Sequence, residues 1–191
     1  GAHAAGTWNR ERRTRTRNPE PGTGNVKAAG VLVAIALALA LQTTLARFVV
    51  SGTAAIDLVL VVVVYVALTT GPGTGMLAGS VAGLIQDALS SGVIGIGGLA
   101  KSIVGFLAGV IGQQFIVTAA LPRFVMFLAA TAVHAAVFMG LYVVLGLRSF
   151  PSPYTAVMSQ ALGNAVIGMI AFTITEALPG MVERRRVRLR L

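Results

Sequence analysis

The stretch AAGVLVAIALALALQTTLA, residues 28–46, decides the kind of fold. It carries no charge, is built almost entirely from Ala, Leu, Val and Ile, and has the roughly 20-residue length at which a helix rising about 1.5 Å per residue crosses a hydrocarbon core. It is too long for the apolar part of a signal peptide and has no cleavage-like end, so it reads as a membrane span. Working outward, Arg47 closes this run and a second begins near Ala54, passes Asp57 and continues through LVLVVVVYVAL to Thr70. Gly71-Pro-Gly-Thr-Gly75 then interrupts the apolar pattern, and clustered Gly with Pro permits a tight reversal into a third segment ending near Leu89. Ser90, Ser91 and Gly92 lead to a fourth segment, Leu121-Pro122-Arg123 precedes a fifth, and Arg148 with Pro151 and Pro153 separates the fifth from a sixth.

The expected architecture is an all-α membrane protein, a six-helix transmembrane bundle with segments at 28–46, 54–70, 75–89, 97–117, 124–147 and 154–178. A basic arm, residues 1–27, precedes it and is expected to be disordered, being rich in Arg, Pro and Gly and poor in apolar residues. A basic tail, residues 179–191, follows it. The second and third segments are short for spans, so a re-entrant hairpin with four full crossings is the competing arrangement. Both have the same parity and leave the two termini on one side.

Composition agrees: 55% of residues are hydrophobic, only 11% are charged and the mean hydropathy is +0.83, which together describe a chain whose main solvent is not water. Cysteine is absent and there are two histidines, which removes disulfides, thiol catalysis and thiolate metal sites. No nucleophile elbow, phosphate-binding loop, paired metal ligands or dinucleotide fingerprint occurs at a usable spacing, so neither an enzyme nor a resident cofactor is expected.

The six-span arrangement places Arg10, Arg12, Arg13, Arg15, Arg17 and Lys27 on the same side as Arg123 and the five arginines between Arg184 and Arg190. That side holds twelve of the fifteen basic residues. Lysine and arginine near span ends are retained in the cytoplasm, so both termini are expected there, with the bundle in the cytoplasmic (inner) membrane. This placement accounts for a pI near 11.5 without nucleic-acid binding. Basic segments beside the bilayer are also drawn to anionic membrane lipid.

Within the membrane region the candidate residues are those with a cost or a geometric purpose. Gly75, Gly79 and Gly83 repeat at four-residue spacing on one helix face, and Gly105 with Gly109 repeats the device downstream. Such faces let backbones approach closely, either within the bundle or against a partner's membrane helix. Ionisable groups at membrane depth need partners. Asp57 is expected to cap the second helix, where its carboxylate meets unsatisfied backbone N–H groups. Asp87, with Gln86 beside it, and Lys101 lie near the same end of one hairpin and are expected either to pair or, for Lys101, to snorkel to the interface. His134 has no titratable neighbour within a turn of its own helix and reads as an interhelical hydrogen-bonding residue. Glu176 lies close enough to the boundary to need only water.

Taken together, Asp57 with its Leu- and Val-rich run, Gly71, Gly75, Gly79 and Gly83, Gln86-Asp87, Gly95, Leu99-Ala-Lys101 and Val104-Gly105 resemble the MreD family of rod shape-determining proteins over about residues 30–175. Ile56 stands where that family often has Pro, and the arginine-rich arm is longer than the family pattern. The resemblance implies a non-enzymatic component of the bacterial elongation complex that binds MreC. It implies that RodA, a class B penicillin-binding transpeptidase and MreB work around it to build lateral-wall peptidoglycan and set cell shape. MreD-like proteins are also similar in architecture to the six-helix substrate-binding S components of energy-coupling-factor importers, which makes a vitamin-binding subunit the alternative. Ala34, Ala36, Ala38 and Ala40 on the first segment would suit its docking.

Overall fold

A computed structural model describes residues 21–46, 56–90, 92–114, 119–147, 150 and 154–188, and these form six α-helices. They are α1 (Pro21–Ala46), α2 (Leu58–Thr70), α3 (Pro72–Leu89), α4 (Ile96–Gln114), α5 (Ala120–Val144) and α6 (Tyr154–Arg188). Three of them, α4, α5 and the Tyr154–Ala177 part of α6, are long and apolar enough to cross a membrane, while α2 and the Ala28–Thr44 part of α1 are apolar but shorter.

The bundle is organised around α2. A helix that is apolar on every side has no face for water and is stable only when enclosed, and α2 packs against all five others. Leu60, Val61, Val64 and Ala67 belong to a cluster with Val104, Ala108, Phe127, Ala130, Ala165 and Phe172 of α4, α5 and α6. Leu58, Val59, Val63 and Val66 face the other way, onto Ile35, Ala38 and Leu39 of α1 and Ala78 and Ala82 of α3. In a membrane this packing is held by dispersion between closely fitted atoms, since lipid tails offer apolar side chains no less hospitable a medium. Thirteen residues make α2 only about 20 Å long, short of a full hydrocarbon core; its first turns are enclosed by neighbouring helices, whereas Thr69 and Thr70 at its end are exposed.

Side-chain pairings give the directions. Val59 N–H bonds Gln42 near the end of α1, Arg123 meets Glu176, and Lys101 meets His134, so α1/α2, α5/α6 and α4/α5 are antiparallel. One end of the bundle therefore collects the start of α1, the end of α2, the starts of α3 and α5 and the ends of α4 and α6, and of the basic residues counted above those within the described helices, Lys27 in α1, Arg123 in α5 and Arg184, Arg185, Arg186 and Arg188 in α6, belong to it.

Several boundaries differ from the sequence expectation. Residues 21–27, expected to be disordered with the rest of the arm, are helical: α1 starts at Pro21, because once an apolar run has nucleated a helix each further residue adds a hydrogen bond at little cost. Residues 1–20 lie outside the described residues. The break at Gly71–Gly75 shrinks to Gly71 alone, since Pro72 occupies the first turn of α3, where its missing N–H is not needed. Pro122 sits in the first turn of α5 for the same reason, so that helix begins at Ala120 and includes Arg123. At the other end α5 stops at Val144, short of 147, where Gly146 turns the chain at φ 65°. Helix α6 continues beyond its apolar part to Arg188.

Candidate functional site

The polar residues of the interior converge on Lys101. Its ammonium lies 2.8 Å from Asp57 Oδ2 and 3.3 Å from His134 Nε2, and all three residues are buried. Asp57 holds its expected place as the N-cap of α2, its Oδ1 accepting the Leu60 N–H at 2.9 Å, and this leaves Oδ2 for the lysine. The Asp57 backbone N–H donates to Asn164 Oδ1 at 2.9 Å, Asn164 Nδ2 donates to Thr131 Oγ1 at 3.1 Å, and the Thr131 hydroxyl donates to the Phe127 carbonyl at 2.9 Å. One connected network thus ties α2, α4, α5 and α6. With Asp57 and Lys101 ionised, charge balances within it, the condition under which ions are tolerated in a low-dielectric interior. His134 stacks on Phe138, centroids 5.7 Å apart, and its Nδ1 has no partner among the described residues.

The expected Asp87–Lys101 pair does not form. Asp87 instead accepts at one oxygen, Oδ2, the backbone N–H groups of Gly95, Gly97 and Gly98, at 2.9, 3.0 and 3.1 Å. The physical reason is proximity to a stronger claim: the first N–H groups of α4 have no partner within the helix and carry its positive dipole end, and Asp87 at the last turn of α3 faces them directly. Gly95 has φ 107°, a conformation that side chains with a Cβ rarely adopt, and this turn aims its N–H at the carboxylate. Gln86 is half-buried, and its Oε1 has no partner among the described residues.

The glycine face of α3 is filled by α4. A Cβ on Gly83 would fall 2.5 Å from Gly98 Cα, one on Gly75 would fall 2.6 Å from the Gly105 carbonyl, and one on Gly79 would collide with the Lys101 carbonyl. Gly105 meets Gly75 in the same way, and Ser80 and Ser102 join hydroxyls across the seam at 2.6 Å. Gly71, at φ 101°, is the single residue between α2 and α3. The seam holds the Lys101 backbone against α3 while Asp57 at the cap of α2 and His134 of α5 hold its side chain.

At the opposite end Arg123 donates to Glu176, and its guanidinium lies over the Phe172 ring, 4.5 Å from the centroid. Glu176 therefore has a protein partner where the sequence expectation was water, although it remains 56% exposed at its side chain.

The sequence reading placed Asp57, Asp87, Lys101 and His134 at membrane depth but missed that three of them form one cluster, and it missed Asn164 and Thr131 altogether. A usable signal existed in Gly95-Ile-Gly-Gly98, a run of exposed backbone N–H groups one loop beyond Asp87, which competes with Lys101 for that carboxylate. Chemically the arrangement offers fixed charge. No group of three or more metal-ligating His, Cys, Asp or Glu residues occurs among the described residues, and the cation between Asp57 and His134 is Lys101 itself. The family model for the rod shape-determining protein MreD matches residues 26–179, a range that takes in most of α1 and α6 and all of the helices between. No curated protein and no solved structure matches the chain.

Proposed function

Because this chain belongs to the MreD family of rod shape-determining proteins, we propose that it acts without catalysis of its own, as the membrane subunit that binds MreC and so regulates lateral-wall peptidoglycan synthesis. The family match across the whole bundle carries this reading. RodA, a class B penicillin-binding transpeptidase and MreB are its expected neighbours in the larger complex. In this reading all six helices cross the cytoplasmic membrane and the basic end is cytoplasmic, which the positive-inside bias supports.

The packing supports a scaffold in a second way. A subunit that transmits binding to a partner must present a defined surface, and four helices are pinned here by one polar network while α3 and α4 are locked backbone to backbone. Exposed apolar side chains at four-residue spacing on α6, Met158, Leu162, Val166, Ile170 and Ile174, leave a continuous stripe for lipid or for a neighbouring helix. The vitamin-binding reading has less to rest on, since the cleft of about 600 Å³ between α1 and α3 is lined by aliphatic residues and threonines, with none of the aromatic or charged groups that orient such a ligand.

Co-expression with a single-span MreC-like protein and purification in detergent tests the proposal: the two are expected to co-elute as one complex. A purified chain that ignores MreC and retains a vitamin stoichiometrically would reject it.

A further inference from the structure

Lys101 decides where the proton of His134 sits. An ammonium has three donors and no acceptor, so the 3.3 Å contact makes Nε2 of His134 the acceptor and puts the proton of the neutral ring on Nδ1. That Nδ1–H is buried and has no acceptor among the described residues, so the imidazole is fixed by one nitrogen and by its stack on Phe138. The charged groups around it are the Lys101 ammonium of α4 and Asp57 at the cap of α2, whose Oδ2 lies 2.8 Å from that ammonium. At this level α6 brings the uncharged Asn164, bonded to Thr131 one turn earlier on α5. Tyr142 lies beyond Phe138 along α5, and Asp87 of α3 is committed to the start of α4.

The two seams of α4 differ. Against α3 the backbones touch at Gly75, Gly79 and Gly83, and close contact holds that seam along its length. Against α5 the seam is apolar and incompletely filled: a cleft of about 100 Å³ lies between Val104, Leu107 and Ala108 of α4 and Ala129, Ala130 and Val133 of α5. Lys101 is one turn from Val104 and His134 adjoins Val133, so their hydrogen bond closes the head of this cleft. A proton added at Nε2 takes the lone pair that Lys101 uses. The hydrogen bond breaks, two N–H donors face each other, and two cations are left with the one carboxylate of Asp57 in a closed interior. Histidine ordinarily binds a proton near pH 6.5 and aspartate near 3.9, so the imidazole is the first of the two to take it. We propose that His134 is a proton-operated latch on the α4–α5 seam: neutral, it accepts Lys101 and holds α5 against α4; protonated at Nε2 by solvent, it releases Lys101 and lets the cleft open.

The full chain in detergent, followed from about pH 8 to about pH 4, on either side of an ordinary histidine, tests it. With His3→Ala, His134 is the one histidine left, and its ring nitrogen resonances in NMR report tautomer and charge directly. They should show the neutral Nδ1–H form at the alkaline end and the cation developing towards the acid end. Cysteine is absent, so nitroxide labels at Leu107→Cys and Val133→Cys, exposed on the two rims of the cleft, report the seam cleanly. Their separation should grow in step with the histidine charge, while labels at Leu77→Cys and Phe106→Cys, exposed on α3 and α4, should keep theirs. His134→Gln retains an acceptor for Lys101 and cannot titrate, so its α4–α5 separation should stay at the alkaline value throughout. An Nε2–H tautomer at the alkaline end, a histidine that stays neutral across the range, a separation that does not follow its charge, or the same acid response in the glutamine variant would overturn the proposal. The resonances and labels of the chain with His134 intact decide it even where the glutamine variant fails to fold. None of these outcomes depends on MreC, which is absent from the experiment.

Discussion

The two ion pairs among the described residues lie at opposite ends of the bundle and in different surroundings. Asp57 and Lys101 are 2.8 Å apart with side chains only 6% and 4% exposed, and each is tied into hydrogen bonds from other helices. Arg123 and Glu176 share a single clasp between α5 and α6 in which the glutamate is 56% exposed. Burial makes the first pair obligatory, because an ion stranded in a dry interior has nothing else to solvate it. Exposure of the glutamate weakens the second, because water and headgroups already share that carboxylate with Arg123, even though the arginine itself is buried. A membrane protein can thus carry two similar-looking salt bridges of which only one specifies how the helices are arranged.

The largest effect should come from Lys101→Met, which leaves the Asp57 carboxylate buried and unpaired. A loss of about 3–5 kcal/mol is expected, read as thermal stability in detergent. Adding Asp57→Asn should recover part of that loss, since an asparagine still caps α2 without a charge, whereas adding Asp87→Asn should simply sum with Lys101→Met. Coupling to Asp87 in place of Asp57 would overturn the assignment of the pair. Asp87→Asn alone should cost about 1–3 kcal/mol, because the amide loses the charge that draws three N–H groups and can turn an NH₂ towards them. Hydrogen exchange should then rise first at Gly95, Gly97 and Gly98. The smallest effect belongs to Glu176→Gln, whose stability should stay near that of the parent chain and whose residual loss should fade as salt is added. A large, salt-insensitive loss there would erase the distinction between the two ends.

Much of this arrangement was legible before any coordinates. The apolar runs, the punctuation at Gly71, the cap at Asp57 and the glycine repeat from Gly75 to Gly83 are local or periodic features, and each is read within one turn or one helix. The pairing of Lys101 was not legible, because Asp57 and Asp87 are both carboxylates near the same end of the bundle and sequence distance favours the nearer one. The glycines decided between them: they let α3 and α4 close until Asp87 met the start of α4, which left Lys101 to reach α2. Arg123 was likewise read as a loop cation, since Pro122 resembled a helix stop and turned out to be a first-turn residue.

Length, hydropathy and the placement of arginine suffice to make this a helical membrane protein with a basic end, because a hydrocarbon solvent forces backbone groups to bond within their own segment and charges to the edge. Which helix lies at the centre, which carboxylate meets Lys101, and whether a cleft remains between α1 and α3 were decided by packing. Those outcomes depend on how closely particular backbones approach, and backbone distance across the bundle is written in no single stretch of the chain.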